Sequence, residues 1–367
     1  MSIFISQDLG VHPGRDLDLW SAAIYSGSGI SMAIASPIWG ILGDRFGRKP
    51  MVIRSMIGGG ITVGLMFFAQ TPIQLLVLRF LQGATSGTIA AATALLAAET
   101  PRSRVGWALG VMTSAVALGG AIGPVVGGVL AAVFGLRLVF LAGGILLLIA
   151  LIPVVLIVRE RPIVSRKGSA RRAFELIAER PGLRRALTVL ISVQGLISVA
   201  NGAAQQLVVL RLLEMMTGGV AAITGVGFGL AGLASTAAAI FYTTVTRRIG
   251  YVRTTALAAL LVAVSVAIIG VAPWVAVVVL AIGLSGLFSG VVIPATASMI
   301  GLETPSEAQS TVFGFGASSG ALGYFLGPLI GGTVASTAGV PVALLVIAGI
   351  ALLLAAVVAL GAREPVR

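Results

Sequence analysis

Cysteine is absent from this chain, and histidine occurs once, at His12. That leaves no material for a disulfide framework, a thiolate metal site or a cysteine nucleophile, and a single histidine cannot make a zinc ligand set. Charge is scarce as well. Asp, Glu, Lys and Arg make up 10% of the residues, against about 25% in soluble globular domains. The twelve acidic residues form no clustered pair suited to general acid and base work, so an enzyme has little to be built from. A basic leader is missing too: the first fourteen residues hold no Lys or Arg and only a short apolar patch, and no cleaved secretory signal is read there.

What fills the chain is apolar. Of 367 residues 57% are hydrophobic, with a mean hydropathy of +1.08, which excludes a water-soluble fold. Apolar runs of roughly twenty residues recur, each long enough to cross a hydrocarbon core of about 30 Å. They predict an all-α integral membrane protein with eleven spans: Leu19 to Leu42, Met51 to Ala69, Ile73 to Ala98, Val105 to Ala132, Leu138 to Val158, Leu187 to Leu213, Ile223 to Thr246, Thr254 to Ala272, Trp274 to Gly301, Ser310 to Thr337 and Val342 to Gly361. The 49 glycines, unfavourable for helices in water, suit close packing of helices in lipid.

The net charge of +12 raises the question of a nucleic-acid partner, and the placement of the 24 basic residues answers it. With the Asp44 loop taken as cytoplasmic, twenty fall on that side, nine of them between Arg159 and Arg185; Arg15, Arg137 and Arg211 lie opposite, and Arg79 lies within a span. This asymmetry is the positive-inside pattern of a membrane protein. The expected partners are the lipid bilayer and a small molecule, not nucleic acid. The expected location is the inner membrane, with the C-terminus cytoplasmic.

The basic stretch from Arg159 to Ala186 separates five spans from six and reads as a cytoplasmic linker, either plainly solvated or regulatory. The expected domains are thus residues 1–158, the linker 159–186, and 187–367. An internal repeat supports the division. Gly110, Gly119, Gly123, Pro124, Gly127 and Gly128 recur as Gly314, Gly323, Gly327, Pro328, Gly331 and Gly332, every offset being 204. Glu99-Thr100-Pro101 recurs as Glu303-Thr304-Pro305 at the same offset, and Ser86-Gly87 recurs as Ser289-Gly290 at 203. Both copies sit on spans that point the same way, which predicts a parallel repeat of two helical bundles. The first bundle has one span fewer than the second, so its first helix is expected to be mostly missing from these residues.

Three constellations carry candidate chemistry. The loop after the first span reads Gly40-Ile41-Leu42-Gly43-Asp44-Arg45-Phe46-Gly47-Arg48-Lys49, and its acid stands at a helix C-terminus, where the macrodipole disfavours an anion unless a cation or another helix's N-terminus compensates. Arg79, in Arg79-Phe80-Leu81-Gln82-Gly83, is costly within a membrane, so it either faces a cavity or snorkels to the nearer interface about 10 Å away. Gln194, Ser198, Asn201 and Gln205, at i, i+4, i+7 and i+11, form one polar stripe that serves either interhelical hydrogen bonds or a substrate surface. Gly119, Gly123 and Gly127 make one smooth face, kinked by Pro124, which by itself reads as helix packing.

These motifs, with Ala35-Ser36-Pro37, Trp39-Gly40 and Gly106-Trp107-Ala108-Leu109-Gly110, resemble the drug/proton antiporter group of the major facilitator superfamily, and its MdtG-like branch in particular, over nearly the whole chain. The resemblance implies a monomeric transporter of twelve helices that exports drug-like molecules against a proton gradient and needs no other cofactor. It implies a cytoplasmic gate at Gly40, Asp44, Arg45, Gly47 and Arg48, and proton coupling through Arg79 and Gln82. It also implies an antiporter helix carrying Gly110, Gly119, Gly123, Pro124, Gly127 and Gly128, and a substrate cavity lined by Gln194, Ser198, Asn201 and Gln205. Two departures stand out. The second-half counterpart of the gate has Arg247 in place of the acid, and none of the acidic residues lies mid-span. A facilitator or importer of a small metabolite, or a non-transporting membrane protein, remains open on the same fold.

Overall fold

The structure, a computed structural model, describes residues 1–100, 105–160, 181–304 and 309–364. At a few positions inside helices, among them Gly40, Asp44, Arg45, Gly110 and Gly314, it describes only the course of the backbone. The described residues are helical: α1 (Ser2–Gln7), α2 (Arg15–Phe46), α3 (Arg48–Leu65) with a 3-10 turn (Met66–Phe68), α4 (Pro72–Thr85), α5 (Thr88–Glu99), α6 (Val105–Phe134), α7 (Leu136–Leu156), α8 (Pro181–Met215), α9 (Val220–Ile249), α10 (Tyr251–Val271), α11 (Val275–Glu303), α12 (Gln309–Ala338) and α13 (Val340–Gly361). Helix is the one open-ended element that satisfies all of its backbone polar groups inside itself, as lipid demands. Among the described residues eight helices are long and apolar enough to cross a membrane, namely α3 with its terminal turn and α7 to α13. The other three predicted spans fall on α2, on α4 with α5, and on α6.

The span expected from Ile73 to Ala98 is not one helix but two. Gly87 adopts φ +109° and ends the run, leaving the last carbonyls of α4 without intrahelical partners. Side chains from the first half satisfy them: the Trp39 indole donates to Ala84 O (2.7 Å) and Arg54 Nη2 donates to Ser86 O (3.2 Å), while the Arg54 guanidinium stacks 3.6 Å over the Trp39 ring. The matching Ser289-Gly290 lies in unbroken α11, where Gly290 packs on the backbone of Ser235. Tyr242 and Leu257 stand there in place of Trp39 and Arg54, and the Tyr242 hydroxyl is turned to Ser298 (2.9 Å).

Elsewhere the repeat extends to backbone geometry. Single glycines with positive φ join α2 to α3 (Gly47, +109°) and α9 to α10 (Gly250, +91°), and Gly135 and Gly339 do the same before α7 and α13. Beyond Gly47, the Glu160 carboxylate accepts from the backbone N–H groups of Arg48 (2.6 Å) and Lys49 (3.0 Å). Beyond Gly250, Glu364 accepts from Tyr251 and Val252 (both 2.9 Å). A side chain on either glycine would collide with the carboxylate. At the other ends of α3 and α10, arginines cap equivalent carbonyls. Arg137 donates to Phe67 O and Ala69 O (2.9 and 2.8 Å), and Arg211 donates to Ala272 O (3.2 Å). Each of these helices thus meets an anion at its positive end and a cation at its negative end, as the macrodipole favours. Two of the three basic residues remote from the charged end of the bundle are thereby accounted for.

The halves differ in a second respect. On α12, Gly323, Gly327 and Gly331 seat α8, so that a Cβ at Gly323 would come 2.6 Å from Ser198 Cβ and one at Gly331 would come 3.1 Å from Leu207 Cδ1. On α6 the equivalent Gly119 and Gly123 have nothing within 4 Å of a Cβ, and Gly127 meets only Val139 at 3.9 Å. At one end of the first half, short α1 packs Phe4, fully buried, edge-on to Phe140 (5.1 Å) and under Arg137, which also pairs with Asp8 (3.3 Å).

Candidate functional site

Between the halves lies a cavity of about 270 Å³, lined among others by Tyr25, Ser28, Arg79, Gln82, Gln205 and Tyr324. A neighbouring space of about 360 Å³ shares Tyr25 and Gln205 and reaches Pro124 and Phe228. Helix α2 supplies Tyr25 and Ser28 from one face, α4 supplies Arg79 and Gln82 one turn apart, and α8 and α12 close the opposite wall. Arg79 Nη1 donates to Gln82 Oε1 at 2.6 Å, and the guanidinium carbon lies 5.8 Å from the Tyr25 ring centre. Arg79 Nε is buried without a hydrogen-bond partner. An ammonium or guanidinium near an aromatic face is stabilised by the ring quadrupole, which eases the cost of a cation at this depth. Among the lining residues Arg79 carries the one formal charge.

The cavity is closed toward the end remote from the basic loops by two seams related by the repeat. In one, α6 meets α9: a Cβ on Gly128 would lie 3.0 Å from Ala221 O and 3.1 Å from Gly225 Cα, and one on Gly225 would lie 2.7 Å from Pro124 O. In the other, α2 meets α12. A Cβ on Gly332 would land on Ala22 Cβ and 2.9 Å from Asp18 O, and Ser26 Oγ donates to Phe325 O at 2.9 Å. Gln206 of α8 is fully buried beside this seam; with its amide turned to match its surroundings, the nitrogen donates to Pro328 O and the oxygen accepts from Ala22 N–H, both at 3.0 Å. Backbones meet this closely only where side chains are absent, which is why glycine stands at 128, 225 and 332.

The model of the Major Facilitator Superfamily matches the chain over residues 1–231 and 213–367. The chain belongs to the major facilitator superfamily. Curated relatives include the "Multidrug resistance protein MdtG" of Dickeya zeae (strain Ech586), 31% identical over 361 residues that cover 96% of this chain and 86% of the relative. The protein of the same name from Klebsiella pneumoniae (strain 342) is 31% identical over 372 residues, covering 100% and 89%. Among solved structures, a point mutant of the nucleoside transporter NupG superposes with a TM-score of 0.76 at 13% identity, covering 97% of this chain and 92% of that one. The human organic anion transporter MFSD10 does so with 0.69 at 21%, covering 97% and 87%. At these identities the two structures speak for the fold alone. As an MdtG-like member of the major facilitator superfamily the protein is a multi-pass membrane transporter of small molecules, not an enzyme.

Within that frame the candidate residues divide. The structure brings Arg79, Gln82 and Gln205 together at the cavity. Two other residues of the polar stripe turn elsewhere. Ser198 is 5% exposed, faces Gly320 and Gly323 of α12 and donates to Gln194 O, while Asn201 Oδ1 accepts from Ser289 of α11 (3.2 Å). A stripe at helical spacing spans more of the circumference than one cavity wall, so its upper turns serve packing within the second half and its lowest reaches the cavity. Of the antiporter helix, Pro124 and Gly128 lie at the seam, Gly119 and Gly123 face open space, and Gly110 stands where the backbone alone is described. Of the gate loop, Gly47 and Arg48 form the Glu160 seat, whereas Gly40 and the side chains of Asp44 and Arg45 lie outside the described residues, as does the linker from 161 to 180. Tyr25, Ser28 and Tyr324 escaped the sequence reading because isolated hydroxyl residues in an apolar run carry no periodic signal. Asp18 escaped it because it precedes the first apolar run, yet it is buried against the second half.

Proposed function

We propose that this protein is a proton-driven exporter of amphipathic, drug-like molecules that works by alternating access. The observation that carries the reading is a mostly apolar cavity with a few polar side chains, between two repeat-related halves and sealed at one end by glycine seams that a rocking motion can part. The basic end is the cytoplasmic one, so Met1 lies outside, the C-terminus lies inside and the seams close the exterior of an inner-membrane monomer. The Asp44 loop serves as the cytoplasmic gate, with no cofactor beyond the proton gradient and no nucleic-acid partner. Arg79, drawn toward Tyr25 and Gln82, offers hydrogen-bond donors to acceptor groups on a substrate, and the tyrosines and Met32 offer apolar surface. The name of the MdtG relatives supports drug efflux.

A facilitator or importer is the second reading, favoured by one feature: among the described residues no carboxylate lines the cavity. A drug panel in an efflux-deficient host, with and without a proton uncoupler, separates the two. Resistance that the uncoupler abolishes supports export. Accumulation down a gradient, indifferent to the uncoupler, overturns it.

A further inference from the structure

The sequence offers no mid-span acid, but folding buries one at the interface of the halves. Among the described residues Asp18 is the one acidic or basic side chain that is buried, at 6% exposure. It stands in the first turn of α2, just ahead of the apolar run that begins at Leu19, and its carbonyl oxygen would lie 2.9 Å from a Cβ on Gly332 of α12. We propose that Asp18 is a pH-sensing residue of the exterior seam, taking up a proton from the exterior as the α2–α12 seam closes and returning it to the exterior as the seam opens. The proposal rests on reading the protein as an alternating-access transporter with this seam outermost.

Among the described residues no cation is paired with this carboxylate. On α8, Gln206 is committed to Pro328 and Ala22, Arg211 is committed to Glu214 (3.2 Å) and to Ala272 O, and the α8 charge that acts on Asp18 is that of Glu214. Helix α12 carries no acid or base apart from Tyr324. Beyond α1, Asp8 is paired with Arg137 (3.3 Å), and on α4 Arg79 is turned to Gln82 and Tyr25. The Met1 amine stands on α1, and on α2 itself Arg15 and Asp16 are exposed. Burial first, and Glu214 second, push the Asp18 carboxyl up from its ordinary 3.8 to about 6. Once the seam opens to water, both causes weaken.

The sign follows from linkage. A carboxyl whose pKa is higher in the closed state favours closure in acid; that advantage is fully present below the open-state value and is lost as pH rises through about 6. Between pH 7 and pH 5 the ratio of closed to open should rise about tenfold. Acid outside thus favours the closed seam, the state that an exporter re-enters after substrate release.

The absence of cysteine makes the test direct. Spin labels on Arg15→Cys and Thr337→Cys, both exposed and on opposite sides of the seam, report its opening in lipid nanodiscs from pH 4.5 to 8. The closed population should grow about tenfold from pH 7 to 5, Asp18→Asn should abolish that dependence and stay closed, and Glu214→Gln should move the midpoint to lower pH. An undiminished pH response in Asp18→Asn would overturn the proposal while leaving the transporter reading intact, since the seam would still open. A distance that never changes across this range would also overturn it, and drug efflux in cells would then judge the transporter reading separately.

Discussion

Replacing Gly332 by alanine should hold the protein open on its exterior side. The new Cβ lands on Ala22 Cβ and comes within 2.9 Å of Asp18 O and 3.0 Å of the Gln206 side-chain amide. Only the glutamine can step aside by changing rotamer; the other two atoms are fixed to the backbone of α2, so relief requires the halves to part. Overpacking of this kind costs about 1–3 kcal/mol, and in the proposed alternating-access cycle the cost falls on the sealed conformation alone, because the open one would separate α2 from α12. At about 1.4 kcal/mol per factor of ten, the closed-to-open ratio should drop roughly 5- to 150-fold. The control is Gly123→Ala, whose Cβ meets nothing within 4 Å. The label pair at Arg15 and Thr337 reads the populations, and efflux at equal membrane abundance reads the consequence. Wild-type populations in Gly332→Ala, or equal damage from Gly123→Ala, would show that the glycine seam is not what closes this end.

Three further outcomes follow from the geometry. Glu160→Ala and Glu364→Ala should each lower the detergent-solubilised melting temperature, by an amount matching about 0.3–1 kcal/mol for an anion at a helix N-terminus; unchanged melting in both would show that the capping bonds contribute nothing. Arg79→Ala should impair efflux more than Arg79→Lys, because lysine keeps a charge near Tyr25 while losing the planar donor pair; full activity in both would remove Arg79 from the cavity's work. A single cysteine at Gly168 should resist an impermeant thiol reagent in intact cells, and its labelling would invert the topology.

Much of the architecture was legible in the residues. Apolar runs of membrane length gave the spans, because a lipid environment leaves helix as the only solution for each. The offset of 204 paired α6 with α12 before any coordinate, and the pairing extends to Gly135 and Gly339 and to the carboxylates of Glu160 and Glu364. The break at Gly87 was not legible, since the same Ser-Gly pair stays helical in α11. What differs is the donor pair Trp39 and Arg54, 47 and 32 residues upstream of Ser86 in sequence, which reaches the freed carbonyls only in the folded bundle.

The sequence by itself determined that the chain crosses a membrane many times, which end bears the positive charge, and that it is built from two copies of one bundle. Those properties come from summed hydropathy, charge count and periodicity, each a sum over residues that needs no knowledge of neighbours. Only the tertiary structure decided which polar residues share a cavity and which glycines form a seam. It sent Gln205 to the cavity and Ser198 to a helix contact, and it buried Asp18 although the residue begins a helix in a polar stretch. Burial and pairing are properties of what lies opposite, and what lies opposite is set by the docking of one half on the other.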